Sequence, residues 1–408
     1  MNPDTLRWLD RWPGRLLCAV LGLFARRKPA QTGPLPAPRR MLIIKLTEMG
    51  STVLALPALG ELRAAWPDAE MYFLVFRNSR AILDALALAP PDRIVEIDDR
   101  TAARALISGG RALMRLRALR PEIAIDFDFF SHVTALFGFL VCRGARVGFD
   151  AFGAFRQRSH LLTHRVIYSP VQHTSRTFLA LTRSVTHASA GEPFYRGPVD
   201  DRSFDLPVFA PTLRDNEEVR TLLRSKGIPD GAPLVLFSAN ASALLPLRRW
   251  PAGRFIEAAR RLRARHPDFW IVLIGGAEER AEAAGMVLEM SDPQCVSVVG
   301  ETSFTGFLTL CANARAMLCN DGGPAHFAGL ARLPAVVLFG PETPALYAPL
   351  SPYAITVYRS LPCSPCVHVF NAKKSACPRA LCLEAIPVEE AVQAVEDCLA
   401  RDRHAPPC

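Results

Sequence analysis

The stretch Asn-Asp-Gly-Gly-Pro-Ala-His, residues 320–326, has the clearest chemical potential in this chain. It follows the apolar run AMLC and precedes an apolar helical pattern, so it marks a turn from a strand into a helix. Gly322 and Gly323 let a ligand approach the backbone closely, and free N–H groups at a helix start attract phosphate. Asp321 ends the strand, while His326 falls in the first helical turn and could donate to a phosphate oxygen. The structural alternative makes Asp321 a helix cap and His326 a packing residue.

Two further strand ends carry polar residues that suit a nucleotide. The run LVLFSA is followed by a loop with Asn240 and Ser242, and Arg248 then precedes a helix. A guanidinium there could neutralise a diphosphate through bidentate contacts. On the local sequence alone, a solvated arginine beside a helix start is the more common alternative. After WIVLIGG come Glu278 and Glu279, either of which could accept hydrogen bonds from ribose hydroxyls.

The first half of the chain has one comparable turn. After the apolar run MLIIKL, the chain turns through Glu48, Gly50 and Ser51 into the helical pattern TVLALPALGELRAAW. Glu48 is the only carboxylate on this turn, and the neighbouring residues alone do not indicate its role.

These turns lie within two successive β-α series. Runs of four to six apolar residues without polar alternation are typical of parallel strands buried on both faces. The rhythm breaks in a Pro/Gly-rich stretch, so we expect domains at 41–205 and 233–408 with a linker at 206–232. The predicted fold class is α/β, with two Rossmann-like, doubly wound domains facing across a cleft that holds the ligands. One larger α/β domain is the alternative, which the long break disfavours.

Residues 1–40 are predicted to form a membrane-interface segment and a Pro-rich linker. A short apolar stretch from Leu16 to Ala25 is flanked by tryptophans and by basic residues on both sides, which fits a helix in the headgroup region. A helix packed on its own protein is the alternative. The basic cluster lies where a signal peptide would need small residues, so we expect a cytoplasmic protein peripheral to the inner membrane.

The 408-residue chain has a net charge of +9, which indicates an anionic partner such as a phosphorylated ligand or an acidic membrane surface. Its arginines are scattered through helices without aromatic interleaving, so nucleic acid is the partner that we expect least.

Four blocks occur in order between about Met41 and Val395: KLTEMGSTVLALPALGELRAAWPDAEMYFLV, RRWP, LIGGAEE and NDGGPAHFAGLARLPAVVLFGPETPALYAP. Together they resemble glycosyltransferase family 9, the heptosyltransferases of lipopolysaccharide core assembly. The resemblance implies a GT-B type fold, with the acceptor in the N-terminal domain and the nucleotide-sugar in the C-terminal domain. It also implies inverting transfer that needs no metal or other cofactor, with ADP-heptose as the usual donor.

The resemblance also implies roles for the polar residues of the second half. Arg248 stands where the family commonly has a lysine that touches the donor phosphates. The other implied donor-binding positions are the nucleotide loop and the ribose contact, at Asp321, Gly322, Gly323, His326, and Glu278 or Glu279.

The first turn departs from the family pattern, which usually has Gly-Asp with the aspartate as general base. Here Gly50 is followed by Ser51, and an unaided serine has no suitable pKa. Glu48 is the nearest carboxylate, so we predict that it is the relocated base and that Ser51 caps the helix. A solvated loop glutamate is the alternative.

Cys363, Cys366, Cys377 and Cys382 are spaced C-x2-C-x10-C-x4-C. This spacing could form a structural zinc or iron site, for which some relatives give precedent. Reduced thiols or a disulfide pair are the alternatives.

The expected function is therefore transfer of a sugar, heptose from ADP-heptose, to a lipopolysaccharide core or other lipid-linked saccharide. The expected partners are the nucleotide-sugar donor, the lipid-linked saccharide acceptor and an anionic membrane surface. Two other classes stay open at this point: a non-catalytic protein that binds sugar-nucleotides or lipid-saccharides, and an NDP-sugar epimerase.

Overall fold

The computed structural model describes residues 10–25, 34–150, 156–187, 199, 206–241, 245–371 and 373–401. The chain divides into two compact units, Met1–Asp205 and Leu206–Cys408. Each unit is built on its own six-stranded parallel sheet with helices between the strands. The predicted α/β class with Rossmann-like units is confirmed.

The sheet of the first unit has the strand order β3-β2-β1-β4-β5-β6. Its strands are β1 Arg40–Ile44, β2 Glu70–Phe76, β3 Ile94–Ile97, β4 Ile123–Asp126, β5 Ala145–Asp150 and β6 His164–Ile167. The central strands are apolar along their length because helices cover both faces of the sheet. The order reverses between β1 and β4, and ligands of doubly wound sheets bind beside the carboxyl ends at such a point.

The helices of the first unit are α1 Arg15–Phe24, α2 Met49–Ala65, α3 Arg80–Ala85, α4 Ala102–Leu119, α5 His132–Val141, α6 Arg156–Ser159 and α7 Thr174–Thr186. Helix α2 is buried through most of its first half and lies against α7. The Thr182 hydroxyl donates to the Ala58 carbonyl at 3.2 Å, and Arg183 pairs with Glu61 at 3.0 Å. These contacts fix the helix that follows the Glu48 turn.

The sheet of the second unit has the strand order β12-β11-β10-β7-β8-β9, which repeats the pattern of the first. Its strands are β7 Leu234–Ser238, β8 Trp270–Leu273, β9 Cys295–Ser297, β10 Ala316–Asn320, β11 Ala335–Phe339 and β12 Ala354–Tyr358. The order reverses between β7 and β10, so the ligand-binding edge of this unit is where these strands end.

The helices of the second unit are α8 Leu213–Ser225, α9 Ala252–Arg265, α10 Arg280–Met290, α11 Phe304–Asn313, α12 Gly323–Leu330, α13 Pro344–Tyr347, α14 Leu381–Glu384 and α15 Val388–Leu399. Helix α8 lies inside the segment predicted as a linker, 206–232. A capping box between Thr212 and Asp215 starts it, and Asn216 accepts from the Asn313 amide of α11 at 3.0 Å. This segment is thus a structured part of the second unit and not a plain connection.

The sequence analysis identifies no strand at either β6 or β12. Both are edge strands, and each is only partly buried. Their sequences, HRVI and AITVY, mix polar with apolar residues, so they lack the continuous apolar run that marks the central strands.

The apolar N-terminal stretch forms helix α1, preceded by a π-helical turn at Asp10–Gly14. One side of α1 packs on the first unit, as the structural alternative predicted, and the other side is exposed. In the part of the chain that the structure describes, no helix is long and apolar enough to cross a bilayer. Residues 1–9 and 26–33 of the predicted membrane segment lie outside the described residues.

Candidate active site

The turn between β1 and α2 is held by a buried carboxylate from the end of β4. Asp128 is 2% exposed and accepts from the Lys45 ammonium at 2.9 Å. It also accepts from the Leu46 backbone N–H at 2.9 Å and from the Thr47 hydroxyl at 3.0 Å. Because four hydrogen-bond donors meet one carboxyl group, the three residues that precede Glu48 have a defined position. Sequence reasoning missed Asp128 and Lys45, although both lie at the carboxyl ends of the two switch-point strands.

Glu48 is half-buried and has a left-handed backbone, with φ of 60° and ψ of 78°. This region costs a residue with a Cβ about 1–2 kcal/mol, and such strain is found mostly where function requires it. Glu48 itself occupies the N-cap position, and α2 begins at Met49, so Gly50 lies in the first helical turn. The prediction that Ser51 caps the helix is wrong: Ser51 is inside α2, and its hydroxyl donates back to the Glu48 carbonyl at 2.8 Å.

A second buried ion pair supports the end of β4. The Arg158 guanidinium lies 2.6 Å from the Asp126 carboxylate, and the Thr134 hydroxyl donates to the same carboxylate at 2.7 Å. Burial raises the pKa of Asp126 to about 6, an effect that Arg158 opposes and Asp128 reinforces. The Asp128 backbone N–H donates to Asp126 at 3.0 Å, so the two carboxylates form one connected network. This network links the Glu48 turn to the base of α5.

In the second unit, β10 ends at Asn320 and α12 begins at Gly323, as the strand-to-helix pattern predicts. The buried Asn320 side chain donates to the Ala239 carbonyl at 2.7 Å and accepts from the Trp250 backbone N–H at 2.9 Å. These bonds join the ends of β7 and β10 to the start of α9. His326 is buried in the first turns of α12, next to Gly322 and Gly323 in sequence.

Arg248 lies close to two buried acids and is not the solvated arginine of the alternative interpretation. Its Nη1 lies 3.6 Å from Asp321 and 3.3 Å from Glu342. Lys373, from the Cys-rich loop, reaches Glu342 at 3.8 Å. The sequence analysis predicted Arg248 and Asp321 but missed Glu342 and Lys373. Glu342 lies in the Phe-Gly-Pro-Glu-Thr-Pro block directly after β11, so its position at a strand end was the available signal.

This cluster of Arg248, Asp321, Glu342 and Lys373 is a charge-balanced group of two cations and two acids. Burial raises the pKa of Asp321 to about 7, and the neighbouring Glu342 raises it further while Arg248 lowers it. Asp321 is therefore readily protonated near neutral pH. A protonated acid leaves the cluster with a surplus positive charge, which suits an anion such as a diphosphate.

Asn240, Glu278 and Glu279 follow strands of the second sheet at the same edge. Asn240 follows β7, whose neighbours are β10 and β8. Glu278 is exposed after β8, whereas Glu279 turns back and accepts from the Gly276 backbone N–H at 3.1 Å. Burial raises the pKa of Glu279, and Glu278 is the better placed of the two for an external hydroxyl. Ser242 lies outside the described residues.

The structure does not support the metal site that the spacing of the four cysteines made possible. Among the described residues, which include all four, no group of three or more His, Cys, Asp or Glu side chains could hold a metal ion. Cys363 is exposed, Cys382 is buried, and the Cys366 sulfur accepts from the Ser375 hydroxyl at 3.2 Å. The Cys377 thiol donates to the Arg379 carbonyl. Cys366 and Cys377 thus bond to different residues, and the possible zinc or iron site is not supported.

Two doubly wound units, each with polar side chains at its switch point, define a GT-B type fold. A family model described as glycosyltransferase family 9 (heptosyltransferase) matches residues 115–376. This range covers most of the chain and includes the Arg248 cluster, so the chain belongs to glycosyltransferase family 9.

Curated relatives agree with this assignment, and a solved structure shares the fold. Lipopolysaccharide heptosyltransferase 2 of Salmonella typhimurium is 29% identical over 149 residues, which cover 36% of this chain and 42% of that protein. Lipooligosaccharide heptosyltransferase 2 of Haemophilus influenzae is 26% identical over 163 residues, 38% and 46% of the two chains. The chain therefore spans less than half the length of these curated relatives in the matched segments. The solved ADP-heptose lipopolysaccharide heptosyltransferase II of Escherichia coli matches with a TM-score of 0.68 at 17% identity, over 88% of this chain and 98% of that chain.

Proposed function

We propose that this protein transfers a sugar, heptose from ADP-heptose, to a saccharide of the lipopolysaccharide core or to another lipid-linked saccharide. The observation that carries the proposal is the family match over residues 115–376, which contain the charged cluster beside the α12 helix start. The names of the relatives, lipopolysaccharide heptosyltransferase 2 and ADP-heptose heptosyltransferase II, support the choice of sugar and nucleotide.

The second unit is proposed to bind the donor. Arg248 contacts the diphosphate, as a lysine does in the family pattern, and its two acid partners hold the guanidinium in position. The backbone N–H groups at Gly322 and Gly323 and the His326 side chain stabilise the charge that develops on the leaving ADP. Asn240, Ser242 and one of the two glutamates, Glu278 by preference, contact the nucleoside part.

The first unit is proposed to activate the acceptor. Glu48 takes the proton of the acceptor hydroxyl, whose oxygen forms a bond to the anomeric carbon of the donor sugar. The bond between that carbon and the diphosphate oxygen breaks, its electron pair leaves with ADP, and the anomeric configuration inverts. No step passes through a metal or a redox cofactor. The position of Glu48 supports this role, since Asp128 holds the residues directly before it, Leu46 and Thr47, through hydrogen bonds.

The reaction is proposed to take place at the cytoplasmic face of the inner membrane, with the protein bound peripherally. The net charge of +9 and the exposed apolar side of α1 support an anionic membrane surface as partner. We expect no nucleic-acid partner, because the basic residues form no aromatic-interleaved binding surface in the sequence.

The test is a transfer assay with ADP-heptose and a lipopolysaccharide-core acceptor, comparing Glu48→Gln with Ser51→Ala. Removing a general base slows the chemical step by about 100-fold to 10,000-fold, so we expect this loss for Glu48→Gln. Ser51→Ala removes only a hydrogen bond within α2 and should keep turnover within about threefold of the wild type.

Near-normal turnover of Glu48→Gln, with loss in Ser51→Ala, would show that Glu48 is not the base. ADP binding by the wild-type protein without any transfer would instead favour the non-catalytic binding protein, for which the missing family aspartate is the motivation. Inversion of the sugar-nucleotide in the absence of acceptor would identify an epimerase.

A further inference from the structure

Helix α1 exposes an unusually apolar side. Its exposed residues fall at helical spacings on one face, together with one tryptophan of the preceding turn. Their exposed fractions are Trp12 57%, Leu16 66%, Leu17 52%, Val20 45%, Leu23 83% and Phe24 75%. Six large apolar side chains in thirteen residues make a continuous patch, which on a soluble surface marks an interaction site. We call these six residues the α1 outer face.

The opposite side of α1 is docked on the first unit. Cys18 is fully buried, and it clusters with Ala135 of α5 and Leu161, with Leu21 and Ala25 packed beside them. At Gly22, an added Cβ would approach the His160 Cβ to 3.0 Å, so α1 lies close to its support. The outer face is therefore presented by a helix of fixed orientation.

Asp10, at the start of this segment, ties it to the first turn of α5. The Asp10 carboxylate accepts from the Ser131 hydroxyl at 2.7 Å and from the Val133 backbone N–H at 2.9 Å. It also lies 3.2 Å from the His132 ring. The His132 carbonyl accepts from the Cys18 thiol of α1 at 3.6 Å, so segment 128–133 contacts α1 at one end and, through Asp128, the turn before Glu48 at the other.

The basic residues at both ends of the α1 outer face favour an anionic bilayer over a second copy of this helix as its partner. Arg11 and Arg15 lie at one end of it, and in the sequence Arg26, Arg27 and Lys28 follow the other end. In a symmetric pair of such helices, parallel or antiparallel, cationic ends would meet cationic ends and repel. An anionic bilayer accepts the apolar side chains and attracts both basic ends.

We propose that the α1 outer face inserts into the headgroup–acyl boundary of an anionic bilayer and docks the first unit with α1 parallel to the membrane plane. The inference rests on the proposed membrane location and names the surface responsible for it. Because segment 128–133 contacts both α1 and the Glu48 turn, the docked surface places the acceptor-side turn at a set distance from the lipid. A lipid-linked saccharide is then delivered to Glu48 from the same membrane.

The test measures co-sedimentation of the full chain with vesicles of phosphatidylcholine and phosphatidylglycerol at 3:1, compared with phosphatidylcholine alone. The variant Leu16→Asn/Leu23→Asn removes apolar surface from the outer face without changing charge. The matched control, Leu213→Asn/Leu288→Asn, changes two leucines of the second unit that are 91% and 78% exposed. We expect partitioning to fall at least tenfold in the first variant and to stay within twofold in the control.

A second readout uses Trp12 in a Trp8→Phe background. Brominated lipids quench tryptophan at the acyl boundary, so we expect quenching that disappears in Trp12→Phe. ADP binding and thermal unfolding are measured for every variant to show that the fold is intact.

Equal partitioning of wild type and Leu16→Asn/Leu23→Asn would overturn the inference. So would a concentration-dependent dimer that this variant abolishes, which would make a second copy the occupant. If the protein binds ADP but gives either of these results, the membrane surface is wrong and the proposed donor site is unaffected. If the wild-type protein does not bind ADP, the proposed function is contradicted and the membrane surface is not.

Discussion

At the scale of single residues, the backbone of Glu48 predicts a conflict between stability and activity. Glycine adopts a φ of 60° without a Cβ clash, so Glu48→Gly should raise the free energy of unfolding by about 0.5–1 kcal/mol. The same change removes the proposed base and should reduce transfer by at least 100-fold. Urea unfolding and the transfer assay measure the two effects.

Ala87 provides the control, because it also has a positive φ, 47°, in a loop far along the chain from the Glu48 turn. Ala87→Gly should gain similar stability and keep full activity. A Glu48→Gly variant that is less stable than the wild type would mean that the Glu48 side chain stabilises the fold and that its backbone is not strained.

The Asp321–Glu342 pair predicts a pH-dependent affinity for ADP. Burial raises the pKa of Asp321 to about 7, so below this pH Asp321 is protonated and the cations Arg248 and Lys373 face a single negative charge. As pH rises through 7 the second acid ionises, the surplus positive charge is lost, and ADP binding should weaken about tenfold between pH 6 and pH 8. Calorimetric titration with ADP across this range measures the change.

Glu342→Gln and Asp321→Asn each remove one acid and should flatten the pH profile. Any dependence that stays in both variants belongs to the phosphate of the ligand and can be subtracted. A wild-type affinity that is constant from pH 6 to pH 8 after this subtraction would contradict the protonation of Asp321 in this range.

At the scale of elements, β4 and its following loop act as a positioning device for the β1–α2 turn. Asp128 contacts three successive residues before Glu48, so Asp128→Asn should weaken the Lys45 pair and loosen the turn. We expect kcat to fall about tenfold to 100-fold with little change in the KM for the donor, which the other unit binds. A base that is less well placed should also shift the acidic limb of the kcat profile, which a purely structural role would leave unchanged.

Two controls separate position from stability. Asp128→Glu keeps the charge and should recover part of the activity. Asp126→Asn weakens the neighbouring ion pair with Arg158, at 2.6 Å, and should lower stability more than it changes the pH profile. If Asp128→Asn and Asp126→Asn have the same pH dependence of kcat, Asp128 has only a structural role.

The elements also show what sequence patterns can and cannot predict here. The central strands and the Asp-Gly-Gly-Pro helix start were predicted because buried parallel strands and phosphate-binding turns leave local signals. Glu342, Lys373 and Asp128 were missed because their partners are distant in sequence, and only the fold brings these side chains together. The edge strand β12 lacks a continuous apolar run, and the spacing of the cysteines alone does not show that Cys366 and Cys377 bond to different residues.

At the scale of the whole molecule, the division into two units predicts where ADP should protect the backbone. If the second unit alone binds the nucleotide, then saturating ADP at 100 times Kd stabilises that unit by about 2.7 kcal/mol. Amide hydrogen exchange should slow at 246–250 and 320–326, where the Arg248 cluster and the α12 start lie. Exchange at 45–51, around the Glu48 turn, should change only when an acceptor saccharide is added. Protection of 45–51 by ADP alone would contradict this division of roles, because it would place the nucleotide on the unit that we assign to the acceptor.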